Sequence, residues 1–234
     1  MKIFRNEFGH EYQIYRFGYC EYAQLEPHDR LADFYEKGYL PYSADPKVQG
    51  VFYMARSARL TLPDFEFSSE NRRINKRFDG AFSCRILPLV EAKKDPRIRK
   101  LFLDYFRERH GKDIMPAARY DGILASPLPL QVLLYEKDGH LAAAALEVTD
   151  KHFGHFWFSA YDLSYVNQSL GMWLMLDAAR QAKAAGRTQY YLGTVYGAKA
   201  LYKTNLKPLE FWNGSSWSGD LAYLKKIARA ESKT

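Results

Sequence analysis

The chain has 234 residues, 47% hydrophobic and 26% charged, with a formal net charge of +7 and only two cysteines, Cys20 and Cys84. A chain of this length buries a core without disulfide support. Two cysteines make neither a disulfide scaffold nor a four-ligand structural zinc site, and no apolar run reaches the roughly 18 residues of a membrane span.

The N-terminus, Met1 to Glu7, has no apolar core of the signal-peptide kind, so the expected location is cytoplasmic with no membrane partner. Up to about residue 78 the chain reads as short elements broken by turns at Gly38, Pro41, Asp45-Pro46, Gly50 and Pro63-Asp64. This part is rich in tyrosine: Tyr12, Tyr15, Tyr19, Tyr22, Tyr35, Tyr39, Tyr42 and Tyr53. Ser68 or Ser69 is placed to cap a helix that stacks Arg72 over Lys76 and Arg73 over Arg77. These four cations read either as an anion site or as a solvated basic face.

From residue 79 onward strands and helices alternate, which predicts an α/β (α+β) domain, a mixed sheet flanked by helices, over 79–234 beside a smaller module at 1–78. Phe82 to Val90 reads as a strand, and Asp95-Pro96 opens a helix that runs to His110 and stops at Gly111. Lys93, Lys94, Arg97, Arg99 and Lys100 make a second basic stretch. Gln131–Glu136 and Leu141–Val148 flank Asp138-Gly139 as a hairpin, and His155–Asp162 is the next strand. Ser169–Ala185 reads as a largely buried helix ended by Gly186, because apolar residues cover most of its circumference. Its free N–H groups at a strand's carboxyl end suit an anionic ligand. Gln189–Gly193 is a strand, Ala198–Thr204 a short helix, and Leu209–Asn213 a last strand before a basic C-terminal helix. Cys84 reads as a small core residue, and His152-x-x-His155 lacks a third ligand for a metal.

The strand, loop and helix from Phe156 to Ala185 resemble the central motif of the GNAT acyltransferases. Coenzyme A versions carry Q/R-x-x-G-x-G/A there; this chain reads Gln168-Ser169-Leu170-Gly171-Met172-Trp173, and the indole of Trp173 is expected to block a pyrophosphate. Tyr161-Asp162, Ser169-Leu170-Gly171 and Tyr190-Tyr191-Leu192-Gly193 resemble, in that order, motifs of the aminoacyl-tRNA–protein transferases of the arginyl/leucyl type. Tyr202-Lys203, Pro208 and Glu210 are similar to that family's Y-K-x-x-x-x-P-x-E stretch, and Phe67 to Arg77 to its F-x-x-S-x-x-x-R-R-x-x-K-R block. The likeness covers residues 20 to 217, but the family's cysteine cluster before the R-R block is missing around Phe52–Arg59.

The resemblance implies transfer of Arg or Leu from a charged tRNA to the α-amine of an acceptor protein or peptide, typically one beginning with Asp or Glu. The ester is already activated, so no metal or cofactor is implied; catalysis rests on holding amine and ester together, taking a proton and stabilising an oxyanion. Tyr161, Asp162 and Tyr191 are then the catalytic candidates. Arg72, Arg73, Lys76 and Arg77 would meet tRNA phosphate or the acceptor carboxylate, and Ser169 and Gly171 the ester end. Tyr202 would stack or donate a hydrogen bond, Lys203 would touch a phosphate or be a surface charge, and Glu210 would be a partly buried acid or a salt-bridge partner. The rival readings are a coenzyme A-dependent N-acetyltransferase and a non-catalytic RNA- or peptide-binding module.

Overall fold

The computed structural model describes residues 1–14 and 16–232; Tyr15, named above, lies outside the described residues. The first stretch forms a long hairpin, β1 (Lys2–Glu11) and β2 (Arg16–Gln24), then α1 (Leu31–Glu36), β3 (Tyr39–Pro41), β4 (Val51–Met54), β5 (Ser57–Thr61) and α2 (Ser69–Phe78). There follow β6 (Ser83–Pro88), α3 (Leu89–Ala92), α4 (Pro96–His110), α5 (Ala117–Leu124), β7 (Leu130–Lys137), β8 (His140–Thr149) and β9 (Phe153–Tyr161). A 3₁₀ segment at Leu163–Gln168 leads into α6 (Leu170–Ala184) and β10 (Gln189–Thr194). A second 3₁₀ segment (Ala198–Asn205), β11 (Leu209–Trp212), β12 (Trp217–Ser218) and α7 (Leu221–Glu231) complete the order.

Side-chain caps and turn residues set these boundaries. The Asp95 carboxylate accepts the Arg97 N–H, Pro96 occupies the first turn of α4, and Gly111 leaves it at φ 103°. Ile98, Phe102 and Phe106, four residues apart, give α4 its buried stripe. The Ser68 hydroxyl accepts the Asn71 N–H to cap α2, which buries Asn71, Ile74 and Phe78 and turns its cations outward. Asp138 and Gly139 both take positive φ in the two-residue turn between β7 and β8.

Two sheets result. One is four-stranded in the order β1-β2-β4-β3, and the other eight-stranded in the order β12-β11-β5-β10-β9-β8-β7-β6. In the large sheet β9 and β10 run parallel and the remaining pairings are antiparallel. β5 and α2 come from the first 78 residues, yet β5 lies between β10 and β11, and α2 packs on α6. The strands of the sheet's middle are buried on both faces. Leu133, Tyr135, Ala143 and Ala145 face a core shared with α2, α6 and α7, while Val132, Leu134, Ala144 and Leu146 face one shared with α1, α4 and α5. None of the helices among the described residues is long and apolar enough to cross a membrane.

Candidate functional site

The two parallel strands part in mid-course. β9 and β10 pair only from Phe153 with Gln189 to His155 with Tyr191. Beyond that, β10 is bulged: its register against β5 shifts between Tyr191 and Thr194, and Gly193 there has φ 76°. A glycine adopts that left-handed conformation without the strain an L side chain would carry. The edge of β9 from Phe156 onward is thereby left without a strand partner on this side, and a cleft of about 390 Å³ opens between the strands. His110, Arg119, His155, Tyr202 and Lys203 line it together with aromatic and apolar side chains, and the lining contains no Asp or Glu.

The electrostatics of this cleft follow from burial. Lys203 is only 9% exposed, its Nζ donates to the Thr194 carbonyl at 2.8 Å, and desolvation lowers its pKa to about 8. Among the described residues it has no carboxylate partner. His155 is 1% exposed, with Nδ1 2.9 Å from the Tyr35 hydroxyl. Burial, with Lys203 close by, pushes its pKa down to about 3, so the ring is neutral. The Tyr35 O–H is assigned as donor to Nδ1, which satisfies the buried phenol and leaves the ring proton on Nε2. That Nε2 is shielded from water and has no partner among the described residues. Arg119 on α5 donates to the Ser43 carbonyl at 2.8 Å, and burial lowers its pKa. Burial and Arg109 likewise lower that of His110.

A second cavity of about 530 Å³ adjoins the first, with Tyr105 in the wall of both. Tyr161 and Asp162 line it with Arg97 and Lys100. The Tyr161 ring lies 4.8 Å from that of Tyr105 and packs against Gly171, where an added Cβ would come within 3.1 Å of it. Tyr202 lines the cleft and leaves 45% of its surface to solvent, and burial of its hydroxyl, with Tyr161 nearby, raises its pKa to about 12.

The sequence-derived residues thus separate into groups. Tyr161, Asp162, Tyr202 and Lys203 gather around Tyr105. One Asp162 oxygen accepts the Ser164 N–H at 2.8 Å and caps the 3₁₀ segment. Lys203 is buried, so the surface-charge alternative for it falls away. Ser169 has φ 66° and its hydroxyl makes no capping bond to α6. Tyr191 does not line the cleft; its ring lies 4.8 Å from Tyr35 and 5.8 Å from Trp217, and burial raises its pKa to about 12. Glu210 is outside too, held by Arg59 at 2.8 Å.

The cations of α2 are elsewhere again. Arg73 pairs with Glu70 at 2.7 Å, Arg72 donates to the Phe67 carbonyl at 2.6 Å, and Arg77 donates to the Gln168 carbonyl at 2.7 Å just before α6, with Lys76 exposed beside them. Trp173 turns into the core instead of standing across the start of α6: its ring packs on Phe78, Phe82 and Tyr135, and Nε1 donates to Asn75 Oδ1 at 3.2 Å. Cys84 is exposed, because β6 is the sheet's outer strand. Sequence reasoning missed Arg119, His110, Tyr105 and Tyr53, which no local pattern brings to one place. Among the described residues no group of three or more His, Cys, Asp or Glu could hold a metal ion.

Comparison with known proteins adds three findings. The family described as acetyltransferase (GNAT) domain matches residues 73–204. The aspartate/glutamate leucyltransferase of Hyphomonas neptunium is 28% identical over 172 residues, 69% of this chain and 67% of that protein; its namesake in Granulibacter bethesdensis is 27% identical over 68% of this chain. The chain spans 61% of the Granulibacter protein's length. Among solved structures, FemX superposes with a TM-score of 0.44 at 10% identity, over 83% of this chain and 64% of that one.

Proposed function

The chain belongs to the GNAT acetyltransferase-domain family and, within it, to the aminoacyl-tRNA–protein transferases, and from that premise we propose that it moves leucine from a charged tRNA to the α-amine of a protein or peptide beginning with Asp or Glu. One observation carries the reading: a cleft opened between two parallel strands, lined by Lys203, Arg119 and His110 and free of carboxylates, as an acidic acceptor requires. The names of the leucyltransferase relatives support leucine as the transferred residue.

In this scheme the acceptor's first residue enters the cleft and the terminal adenosine of the tRNA occupies the second cavity, so that amine and ester meet beside Tyr105. The amine nitrogen attacks the ester carbonyl; the carbon–oxygen bond to the ribose breaks, and the ribose hydroxyl leaves with the proton the amine gives up. An α-amine has an ordinary pKa of about 8, so roughly a tenth of it is already unprotonated and nucleophilic at pH 7. Placing the two reactants together is the main contribution asked of the protein. In this scheme Tyr202, and the edge of β9 beyond its pairing with β10, would supply donors to the oxyanion. Tyr161 packs beside the start of α6, at Gly171, and the free oxygen of Asp162 orients the ribose or the amine.

Arg77 reaches Gln168 at the same end of the fold, so Arg72, Lys76 and Arg77 would follow the tRNA backbone there, with Arg73 held back by Glu70. Ser169 flanks this entry. Tyr191 acts indirectly, by packing against the Tyr35 that holds His155, and Glu210 by tying β11 to β5 through Arg59. The test is incubation with radiolabelled leucyl-tRNA, arginyl-tRNA or acetyl-coenzyme A and peptides differing only in their first residue. Label from leucyl-tRNA on Asp- and Glu-peptides is expected. Transfer from arginyl-tRNA alone would replace the donor, and acetyl transfer without any from RNA would overturn the reading.

A further inference from the structure

Of the partly buried arginines outside the cleft, two have carboxylate partners, and Arg187 donates to the Asp150 carbonyl. Arg56 pairs with Glu231 at 2.7 Å and Arg59 with Glu210 at 2.8 Å, although their side chains are only 19% and 15% exposed. In the cleft two enclosed cations stand together with no such partner. Lys203 is held by a neutral carbonyl of Thr194, and Arg119 by the Ser43 carbonyl, the Ser43 hydroxyl and the Ile114 carbonyl. The neutral His155 adds a ring N–H with no acceptor. Three donors, two of them cationic, therefore line one cavity that contains no acid. Buried cations are costly without a counter-charge, and the missing one has to arrive with the ligand.

We infer that Lys203, backed by Arg119 and by the Nε2–H of His155, reads the acidic side chain of the acceptor's first residue. This assigns a specific reader within the transferase reading above and rests on it. The arginines of α2 are then released from acceptor recognition, since they stand outside both cavities. Lys203 is the centre of the set because it is the most enclosed cation there, and its short 3₁₀ segment carries it inward to lie beside Gly193. A carboxylate in place would complete its hydrogen bonding, whereas the amide of Asn or Gln would leave the ammonium without a counter-charge.

The test compares the unsubstituted protein with Lys203→Met and Lys203→Arg, using short peptides that begin with Asp or with Asn and are otherwise identical. Equilibrium binding by calorimetry is read without RNA, and kcat/KM with charged tRNA. The ratio of Asp to Asn affinity should fall about thirtyfold or more in Lys203→Met, as for loss of one partner of a buried charge pair, and Lys203→Arg should keep much of it. An unchanged ratio in Lys203→Met, or no preference for Asp in the unsubstituted protein, would overturn the assignment. Because binding is measured without donor RNA, failure of the transfer reaction would strike the proposed activity and leave this measurement standing.

Discussion

Replacing Lys203 with methionine should make the protein more stable while impairing it. Burial draws the amine from its ordinary 10.5 down to about 8, and that difference corresponds to about 3 kcal/mol. The folded chain binds this proton more weakly than the unfolded one, so stability rises with pH between about 8 and 10.5, and below 8 the full penalty applies. Methionine fills a similar volume with no charge to desolvate. Freeing the Thr194 carbonyl from its 2.8 Å bond costs about 1 kcal/mol. The balance at pH 7 is a gain of about 2 kcal/mol, or a rise in Tm of about 4–8 °C for a chain of this size. Scanning calorimetry of both proteins at pH 7 and near pH 10.5 tests the sign twice, because most of the penalty is gone by the higher pH and the advantage should vanish or reverse. A variant destabilised equally at both pH values would mean that the folded chain already matches this charge, and the reasoning built on an unmatched lysine would fail.

His155 gives a dependence of the same sign in a lower pH window. Its pKa falls from 6.5 to about 3 through burial, so the stability it contributes is complete above 6.5 and drains away in acid at about 1.4 kcal/mol per pH unit. His155→Gln should flatten the acid limb of the stability curve by that slope, and parallel curves in urea titrations at pH 4 to 7 would contradict it. Gly193→Ala places a side chain at φ 76° and should cost about 1–2 kcal/mol, with transfer activity falling further than stability because the bulge that opens the cleft is disturbed. Unchanged melting and unchanged rates together would show that the opening does not depend on this residue.

What the sequence discloses is what is settled within a few residues. Asp95-Pro96 and Gly111 bound α4, Ser68 caps α2 and Asp138-Gly139 turns the hairpin, because each device acts on its own neighbours. Gly193 belongs to a motif read as a strand end, and it is a bulge for the same local reason. Long-range pairing leaves no such mark. Nothing in Ser57–Thr61 announces that it joins strands more than 120 residues away, nor that β6 ends at the edge and exposes Cys84. Lys203 lies in a short 3₁₀ segment without helical periodicity, so its burial has no pattern to betray it. Arg119 and His110 come from separate helices and meet the cleft only through the packing of α4 and α5 on the sheet. Ser169 has the residue type of a cap and a backbone that prevents it from acting as one.

The place of β5 also bears on how the chain is made. It emerges early in synthesis, while both of its neighbours, β10 and β11, lie beyond residue 188. At a ribosomal pace of about 5–20 residues per second, it waits on the order of ten seconds with both edges unpaired. The cleft is therefore among the last features to form, and its assembly has the slow, non-local character of high contact order. During that interval Ala58, Leu60 and Leu62, which are wholly buried in the finished fold, are bare to whatever else the nascent chain meets.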